Sequence, residues 1–203
     1  MAQPLARSDG VNCYHQFFRT FPDSNFLTFN YDSLPETFLF RLGRWYPRDG
    51  YGVPVRAHLP PGSEEFDNKT SSALVLHLHG SLCIRTSEYT QRLKPGEAIV
   101  SQTKRNAPLY TFAPYSISAN FGPFPGGKGA DDVEDRIIAP VPDKSHGLKH
   151  VFIRATYAKA LGLLQSSGPV VAIGYSFNPH DKASYQPLLN ALGDSKDRRL
   201  LVL

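Results

Sequence analysis

Residues that can carry out acid–base chemistry follow an apolar stretch that begins near residue 72. The stretch SALVLHLHGSL (72–82) runs from aliphatic residues to His77 and His79, and then to Gly80 and Ser81. A histidine can act as a general base there, because its ordinary pKa lies near neutrality. His77 lies deeper on the same strand face and is interpreted as a hydrogen-bonded core histidine. His79 is therefore the candidate base.

Two other stretches, NFLTFNYDSLPETF (25–38) and GPVVAIGYSFNPHD (168–181), also run from apolar residues into polar ones. The polar residues are Asn30, Tyr31 and Asp32 in the first stretch and Gly174, Tyr175 and Ser176 in the second. Carboxyl ends of parallel strands meet at one edge of a sheet, where α/β proteins bind ligands. Asn30 and Asp32 can also be plain turn or cap residues, and Ser176 an ordinary cap. The coincidence at three strand ends favours a binding site.

Strands and helices alternate along the chain, which is typical of an α/β protein with a mostly parallel sheet and flanking helices. The sequence predicts strands over 25–30, 73–80, 136–141, 169–176 and 199–203. It predicts helices over 12–22, from Leu34 to Leu42, over 149–165 and over 182–192. Ser33 and Glu36 form a capping-box pattern before the second helix. In the third helix Val151, Ala155, Ala158 and either Leu161 or Gly162 share a face.

A chain of 203 residues has room for one domain with a substantial core. A helical segment over 1–24 is expected to precede an α/β domain over 25–203, in which the irregular residues 84–130 are interpreted as an insertion or lid. No run reaches the roughly 20 apolar residues that cross a bilayer. The N-terminus lacks the apolar core of a signal peptide, so no membrane contact and a cytoplasmic location are expected.

Charge and cysteine content exclude several classes of function. The formal net charge is +4, and the one dense basic group, DSKDRR (194–199), is interleaved with acids, so direct nucleic-acid binding is not predicted. Cys13 and Cys83 are the only cysteines and lie far apart. They exclude a zinc site built on cysteine and argue against a disulfide framework. No metal site is predicted.

Three motifs, TFNYDSL (28–34), LHLHGSL (76–82) and VVAIGYSFNPHD (170–181), resemble in order and spacing those of sirtuin-like (SIR2-like) NAD-dependent domains. The closer resemblance is to the bacterial branch found in anti-phage and other NAD-depleting systems, and it covers residues 25–203 apart from the 84–130 insertion. It implies a Rossmann-like fold and NAD+ as substrate. Because such effectors are often switched by assembly or by a sensor, it also implies a homo-oligomer or a sensor protein as partner.

The resemblance implies a role for each motif residue. Cleavage of the nicotinamide–ribose bond needs a positioned water, a base near the ribose hydroxyls and polar groups that hold the carboxamide. By resemblance, Asn30 positions the water and the ribose, His79 is the general base, and Asp32 holds the carboxamide. The other cofactor-binding positions are Tyr31, Gly80, Ser81, Gly174, Tyr175 and Ser176. Asp181 matches a recurrent acid of the family, with an expected structural role.

The chain departs from the family pattern in two respects. It cannot build the cysteine-ligated zinc module of the deacetylases, which favours an NAD+ glycohydrolase. It also lacks the glycine-rich phosphate loop that the family carries upstream of the Asn-Tyr-Asp turn, and GPFPGGKG (122–129) follows no strand that would let it substitute. The sheet is therefore expected to be incomplete at its N-terminal end, as in a gene fragment, a truncated reading frame or half of a split protein.

Three alternative functions stay open. A degenerate sirtuin-like module would bind NAD+, ADP-ribose or a protein partner without catalysis. An α/β serine hydrolase would use GYSFN (174–178) as its nucleophile elbow, although Asn178 replaces the second glycine and the triad partners do not follow on separate strands. A metallophosphoesterase would use the histidines of 77–79 and the His-Asp pair at 180–181, but its other ligand motifs are absent from the sequence.

Overall fold

Helices and strands alternate in the computed structural model, which describes residues 9–53, 56–58, 69–87, 89–91, 100–102, 109–112, 133–137, 148, 151–166, 168–193 and 200–203. The helices are α1 (Asp9–Thr20), α2 (Leu34–Arg41), α3 (Val151–Ser166) and α4 (Lys182–Gly193), with a 3-10 turn over Pro179–Asp181. The strands are β1 (Phe26–Thr28), β2 (Arg56–His58), β3 (Val75–His77), β4 (Gly80–Ser87), β5 (Tyr89–Gln91), β6 (Val100–Gln102), β7 (Leu109–Phe112), β8 (Val133–Ile137), β9 (Val170–Ala172) and β10 (Leu200–Val202).

The strands that carry the three motifs lie in two separate two-stranded parallel sheets. β1 pairs with β3, so that Thr28 lies opposite His77, and Leu78 N donates to Thr28 O at 2.9 Å just beyond the ladder. β9 pairs with β10, with Val170 opposite Leu200. Helices separate these strands in the chain, so the α/β class is confirmed.

The strands between β3 and α3 pair mostly in antiparallel fashion. One sheet has the order β2-β7-β4-β8, in which β4 is antiparallel to β7 and β8 while β2 and β7 are parallel. β5 and β6 form an antiparallel pair. Half of β4 and all of β5 to β7 lie within residues 84–130, which the sequence indicated to be irregular. That interpretation missed them because strands of three or four residues are too short to show a two-residue period.

The first core cluster is aromatic and joins the two N-terminal helices to β3. Phe18 of α1 stacks on Phe38 of α2, with 5.5 Å between ring centroids and 11° between planes. Trp45 meets the edge of Tyr51 at 5.0 Å, and both are buried beside Val75 of β3. Burying each of these large side chains stabilises the fold by about 1.5–3 kcal/mol.

A second cluster packs α3 and α4 against the end of β3. Its buried members are Leu76, Leu78, Ala160, Leu164, Leu188 and Ala191. Leu27 of β1 and Val170 of β9 pack against it from the strands. The two C-terminal helices are thereby fixed beside the ends of the strands that carry the motifs.

The capping box predicted for α2 is wrong. Ser33 makes no side-chain cap hydrogen bond; instead Asp32 Oδ1 accepts from Leu34 N at 3.0 Å. Glu36 is fully buried and its carboxylate contacts His77. A charge-assisted bond to imidazole inside the protein is stronger than a bond back to an exposed main-chain N–H, so Glu36 turns inward.

The predicted face of α3 is wrong for its alanines, although Leu161, the other predicted member, packs against the second cluster. Ala155 and Ala158 are exposed, and the side chain of Val151 lies outside the described residues. The buried residues of α3 are instead Phe152, Ile153, Thr156, Ala160 and Leu164. The larger apolar side chains decide the orientation because each buries more surface than an alanine. Predicted boundaries moved by up to four residues: α1 begins at Asp9 rather than at residue 12, β8 covers Val133–Ile137 rather than 136–141, and β9 covers Val170–Ala172 rather than 169–176.

Candidate functional site

The ends of the three motif strands meet at the ring of Phe29. This residue follows β1, and its centroid lies 4.9 Å from the His79 ring, beyond β3, in an edge-on contact. The same ring stacks on Tyr175, beyond β9, with 4.5 Å between centroids. The structure therefore brings together residues of all three motifs, in keeping with the expectation that the strand ends converge.

His79 lies at the centre of this cluster and is 3% exposed. Its Nε2 is 2.9 Å from the hydroxyl Oγ of Ser184 on α4, which is fully buried. A serine hydroxyl can either donate to a bare imidazole nitrogen or accept from an N–H. Ser184 can therefore hydrogen-bond His79 in either tautomer.

Two half-buried tyrosines, Tyr157 and Tyr175, lie near the His79–Ser184 pair and have buried hydroxyl groups. The hydroxyls of Tyr157 on α3 and Tyr175 have no hydrogen-bond partner of good geometry. Burial raises the pKa of Tyr157, although the Ser184 hydroxyl lies near enough to lower that pKa in part. Burial, followed by the charge of Asp181, raises the pKa of Tyr175 to about 12. Both phenols are neutral at physiological pH and can donate a hydrogen bond to a polar ligand.

Asp181 brings negative charge to the same cluster. It ends the 3-10 turn Pro179–Asp181, just before α4. Burial, and then the charge of Asp181, raises the pKa of the Tyr31 phenol, as it does for Tyr175. The acid assigned a structural role from the sequence therefore lies within electrostatic reach of two of the motif tyrosines.

Four motif residues are exposed at this end of the molecule. Asn30, Asp32, Gly174 and Ser176 are accessible to solvent, and Tyr31 is half-buried. Asp32 Oδ1 caps α2 through Leu34 N, which is the turn role that the sequence allowed for it. A carboxylate that caps through one oxygen keeps the other for a ligand.

The two motif glycines both adopt left-handed backbone. Gly80 has φ of +87° where it opens β4, and Gly174 has φ of +65° after β9. Residues with a Cβ rarely adopt this conformation, which explains glycine at both positions. Ser81, beside Gly80, is fully buried and lies opposite Arg136 in β8. The structure therefore places Gly80 and Ser81 in a buried ladder, while Gly174 faces solvent.

His77 is a buried, hydrogen-bonded core histidine, as the sequence predicted. Its Nε2 lies 2.6 Å from Glu36 Oε1, and its Nδ1 lies 3.0 Å from the main-chain oxygen of Asn30. Neither the His77 nor the Glu36 side chain is exposed. Through these contacts β3 is tied to α2 and to the turn that carries Asn30.

Sequence reasoning missed Glu36, Tyr157 and Ser184 as contributors to this region. Glu36 was interpreted as a capping residue, and Ser184 and Tyr157 lie in helices with no motif of their own. A charged residue inside an otherwise apolar helix face was the one available signal, and it applied to Glu36 alone.

Two alternative chemistries find little support in the geometry. Ser176 is exposed, and the serine bonded to His79 is Ser184, so the proposed nucleophile elbow has no histidine beside it among the residues described. His77 is committed to Glu36 and Asn30. Over the described part of the chain, no group of three or more His, Cys, Asp or Glu side chains could hold a metal ion.

Comparison with known protein families and with curated proteins finds no match. Among the described helices, none combines the length and apolar character that a membrane crossing requires. A proposal for function therefore depends on the strand-end residues and the contacts among them.

Proposed function

We propose that this chain is a sirtuin-like NAD+ glycohydrolase domain of Rossmann-like architecture, which hydrolyses the bond between nicotinamide and ribose. The observation that carries the proposal is the double contact of Phe29 with His79 and Tyr175. It joins the ends of β1, β3 and β9, which bear the three motifs in the family's order. A ligand bound across parallel strand ends requires that juxtaposition.

The reaction converts NAD+ and water into ADP-ribose, nicotinamide and a proton. The C1′–N bond breaks with its electron pair passing to the nicotinamide ring, which leaves neutral, and water oxygen forms the new bond to C1′. The proton that the water loses goes to a base, here His79. His79 Nε2 contacts Ser184 Oγ at 2.9 Å, and an imidazole in this role accepts the proton on an unprotonated ring nitrogen.

The exposed motif residues supply the binding contacts in this proposal. Asn30 holds the attacking water and the ribose, and Asp32 holds the carboxamide with the oxygen that does not cap α2. Gly174 and Ser176, both exposed, take the ribose–phosphate portion. Their exposure on the side of the molecule where the His79 cluster lies supports these roles.

One observation favours a second candidate, a module that binds NAD+ or ADP-ribose without cleaving it. His79 is 3% exposed and its Nε2 is occupied by Ser184. A base held in this way acts only when its other nitrogen reaches the substrate. Binding without turnover is the result that this candidate predicts.

Product analysis together with calorimetry separates the candidates. The chain is incubated with NAD+, nicotinamide and ADP-ribose are quantified by chromatography, and NAD+ binding is measured for the wild type and for Asn30→Ala. Equal amounts of both products, reduced in Asn30→Ala, support the glycohydrolase. Binding without products supports the non-catalytic module, and neither binding nor products refutes both. Hydrolysis of a simple ester that is lost in Ser176→Ala would instead support the serine hydrolase.

A further inference from the structure

A buried pair of ionisable residues lies directly behind the turn that carries Asn30. Glu36 of α2 and His77 of β3 have no exposed side-chain surface, and Nε2 and Oε1 are 2.6 Å apart. The other ring nitrogen of His77, Nδ1, lies 3.0 Å from Asn30 O. One imidazole therefore bridges a helix and the main chain of a proposed catalytic residue.

The hydrogen-bonding capacity of these atoms limits where the protons are. A main-chain carbonyl only accepts, so the contact with Asn30 O requires a hydrogen on His77 Nδ1. The contact with Glu36 then requires a second proton between Nε2 and Oε1. Both contacts exist together only while the pair keeps that second proton. A neutral histidine facing a carboxylate has one N–H to share between two acceptors.

The groups around His77 favour the charged imidazole. Burial lowers the pKa of His77, but the charge of Glu36, the hydrogen bonds to Glu36 and to the Asn30 carbonyl, and the charge of Asp32 outweigh burial and raise the pKa above 6.5. From the loop after α2, the ring of Tyr51 also faces His77, with 6.1 Å between centroids. The acids that face His77 thus come from α2 and from the turn itself.

We propose that Glu36 and His77 are positioning residues that hold the Asn30–Asp32 turn in its binding geometry, and that loss of a proton from the pair releases the Asn30 carbonyl. The carboxylate of Glu36 is the stronger acceptor, so the remaining N–H of neutral His77 turns to it and Asn30 O loses its donor. This inference rests on the proposed function only in assigning Asn30 to the ligand; the coupling of the pair to the turn is a property of the chain alone.

Two short-range side-chain hydrogen bonds also hold the turn. Asn30 N donates to Thr28 Oγ1 at 3.0 Å, and Asp32 Oδ1 accepts from Leu34 N at 3.0 Å. Both contacts are exposed and within two residues in the chain. The contact with His77 is long-range, since it joins the turn to β3 across 47 residues of sequence. Releasing it frees the Asn30 side chain while the strands and helices stay packed.

The test is a pH titration of the full chain by NMR. The ring nitrogen shifts of His77 report its protonation, and the carbonyl carbon shift of Asn30 reports its hydrogen bond. We expect both signals of the wild type to change with one midpoint above pH 6.5. In Glu36→Gln both midpoints move together to lower pH, because the buried negative charge is gone. The matched control is Asp23→Asn, an exposed acid paired with Arg44, which leaves both midpoints unchanged.

The inference would be overturned if the carbonyl carbon shift of Asn30 did not change as His77 ionises. It would also be overturned if the His77 midpoint were the same in Glu36→Gln as in the wild type. If Glu36→Gln fails to fold, the wild-type titration decides the question alone, since it requires the two midpoints to coincide. Nicotinamide release is measured over the same pH range and is expected to fall with that midpoint. Absence of release at every pH refutes the proposed function, while the two NMR midpoints still decide the role of the pair.

Discussion

Two histidines that stand two positions apart have different environments because each meets a different partner. His77 faces a carboxylate and a carbonyl, and is held as a donor at both nitrogens. His79 faces the hydroxyl of Ser184, which can donate or accept. A histidine with a neutral, adaptable partner can change its proton content, so His79 suits a base while His77 suits an anchor.

At the residue scale we predict that Ser184→Ala lowers nicotinamide release below that of the wild type but above that of His79→Ala. The imidazole remains, but it loses the hydroxyl that its Nε2 contacts and that helps to position the ring. The free energy of unfolding should fall by about 1 kcal/mol, the typical net value of one hydrogen bond. The matched control is Ser166→Ala, whose hydroxyl bonds Gly162 O on the exposed side of α3 and should leave release unchanged. Equal release by the wild type and Ser184→Ala would contradict the role given to Ser184.

At the scale of elements, the link between α2 and β3 is an ion pair rather than an apolar contact. Removing one member of a buried pair leaves the other charged and unpaired, which costs roughly 3–5 kcal/mol, whereas replacing both with apolar residues is often neutral. Because Glu36 and His77 are 41 residues apart, the pair also joins two segments that are distant in the chain.

This link makes stability depend on pH, with a sign set by His77. Its pKa is raised in the folded state above the ordinary 6.5, so its contribution is fully present below pH 6.5 and is lost as pH rises through the folded pKa. We predict that the unfolding free energy of the wild type, minus that of the double variant Glu36→Leu/His77→Leu, falls as the pH rises from 6 to 9. Urea denaturation at pH 6 and pH 9 measures it; a difference that grows with pH would contradict the assignment.

In the segment between α2 and β3, Gly50 is packed tightly against Trp45. Gly50 O accepts from Val75 N at 2.8 Å, and a Cβ on Gly50 would lie 2.1 Å from Trp45 Nε1. Gly50→Ala should therefore cost about 1–3 kcal/mol through overpacking. Gly162→Ala, where a Cβ meets nothing within 4 Å in α3, should stabilise by about 0.5–1 kcal/mol. Urea denaturation followed by the fluorescence of Trp45, the single tryptophan, tests both; equal effects would contradict this packing.

At the scale of the whole molecule, apolar residues on β9 and β10 face solvent. The exposed large apolar side chains at these strands are Val171, Ile173, Leu200, Leu201, Val202 and Leu203. Exposed apolar strands are prone to pairing with other chains. We predict that the chain associates as its concentration rises, and that Leu201→Lys with Ile173→Lys reduces association without lowering the melting temperature. Sedimentation velocity over a concentration series measures this, and a monomer at all concentrations would contradict it.

The sequence predicted the local features of the fold better than its contacts. The α/β class, the positions of the helices and the meeting of the motif strands follow from hydrophobic pattern and from the rule for parallel strand ends. Ser184 was not predicted, because its contact with His79 spans 105 residues and leaves no mark on the sequence around either residue. The inward orientation of Glu36 was likewise not predicted, because its partner His77 lies on β3, 41 residues away in the chain.

The most direct test of the account compares nicotinamide release from NAD+ by the wild type and by His79→Ala under the same conditions. Loss of a general base should lower the rate by roughly 10²–10⁴-fold while the variant stays folded. We predict that the wild type releases nicotinamide and that release nearly disappears in His79→Ala. No release by a wild type that binds NAD+, or equal release by the two proteins, would contradict the assignment of His79 as the base of a glycohydrolase.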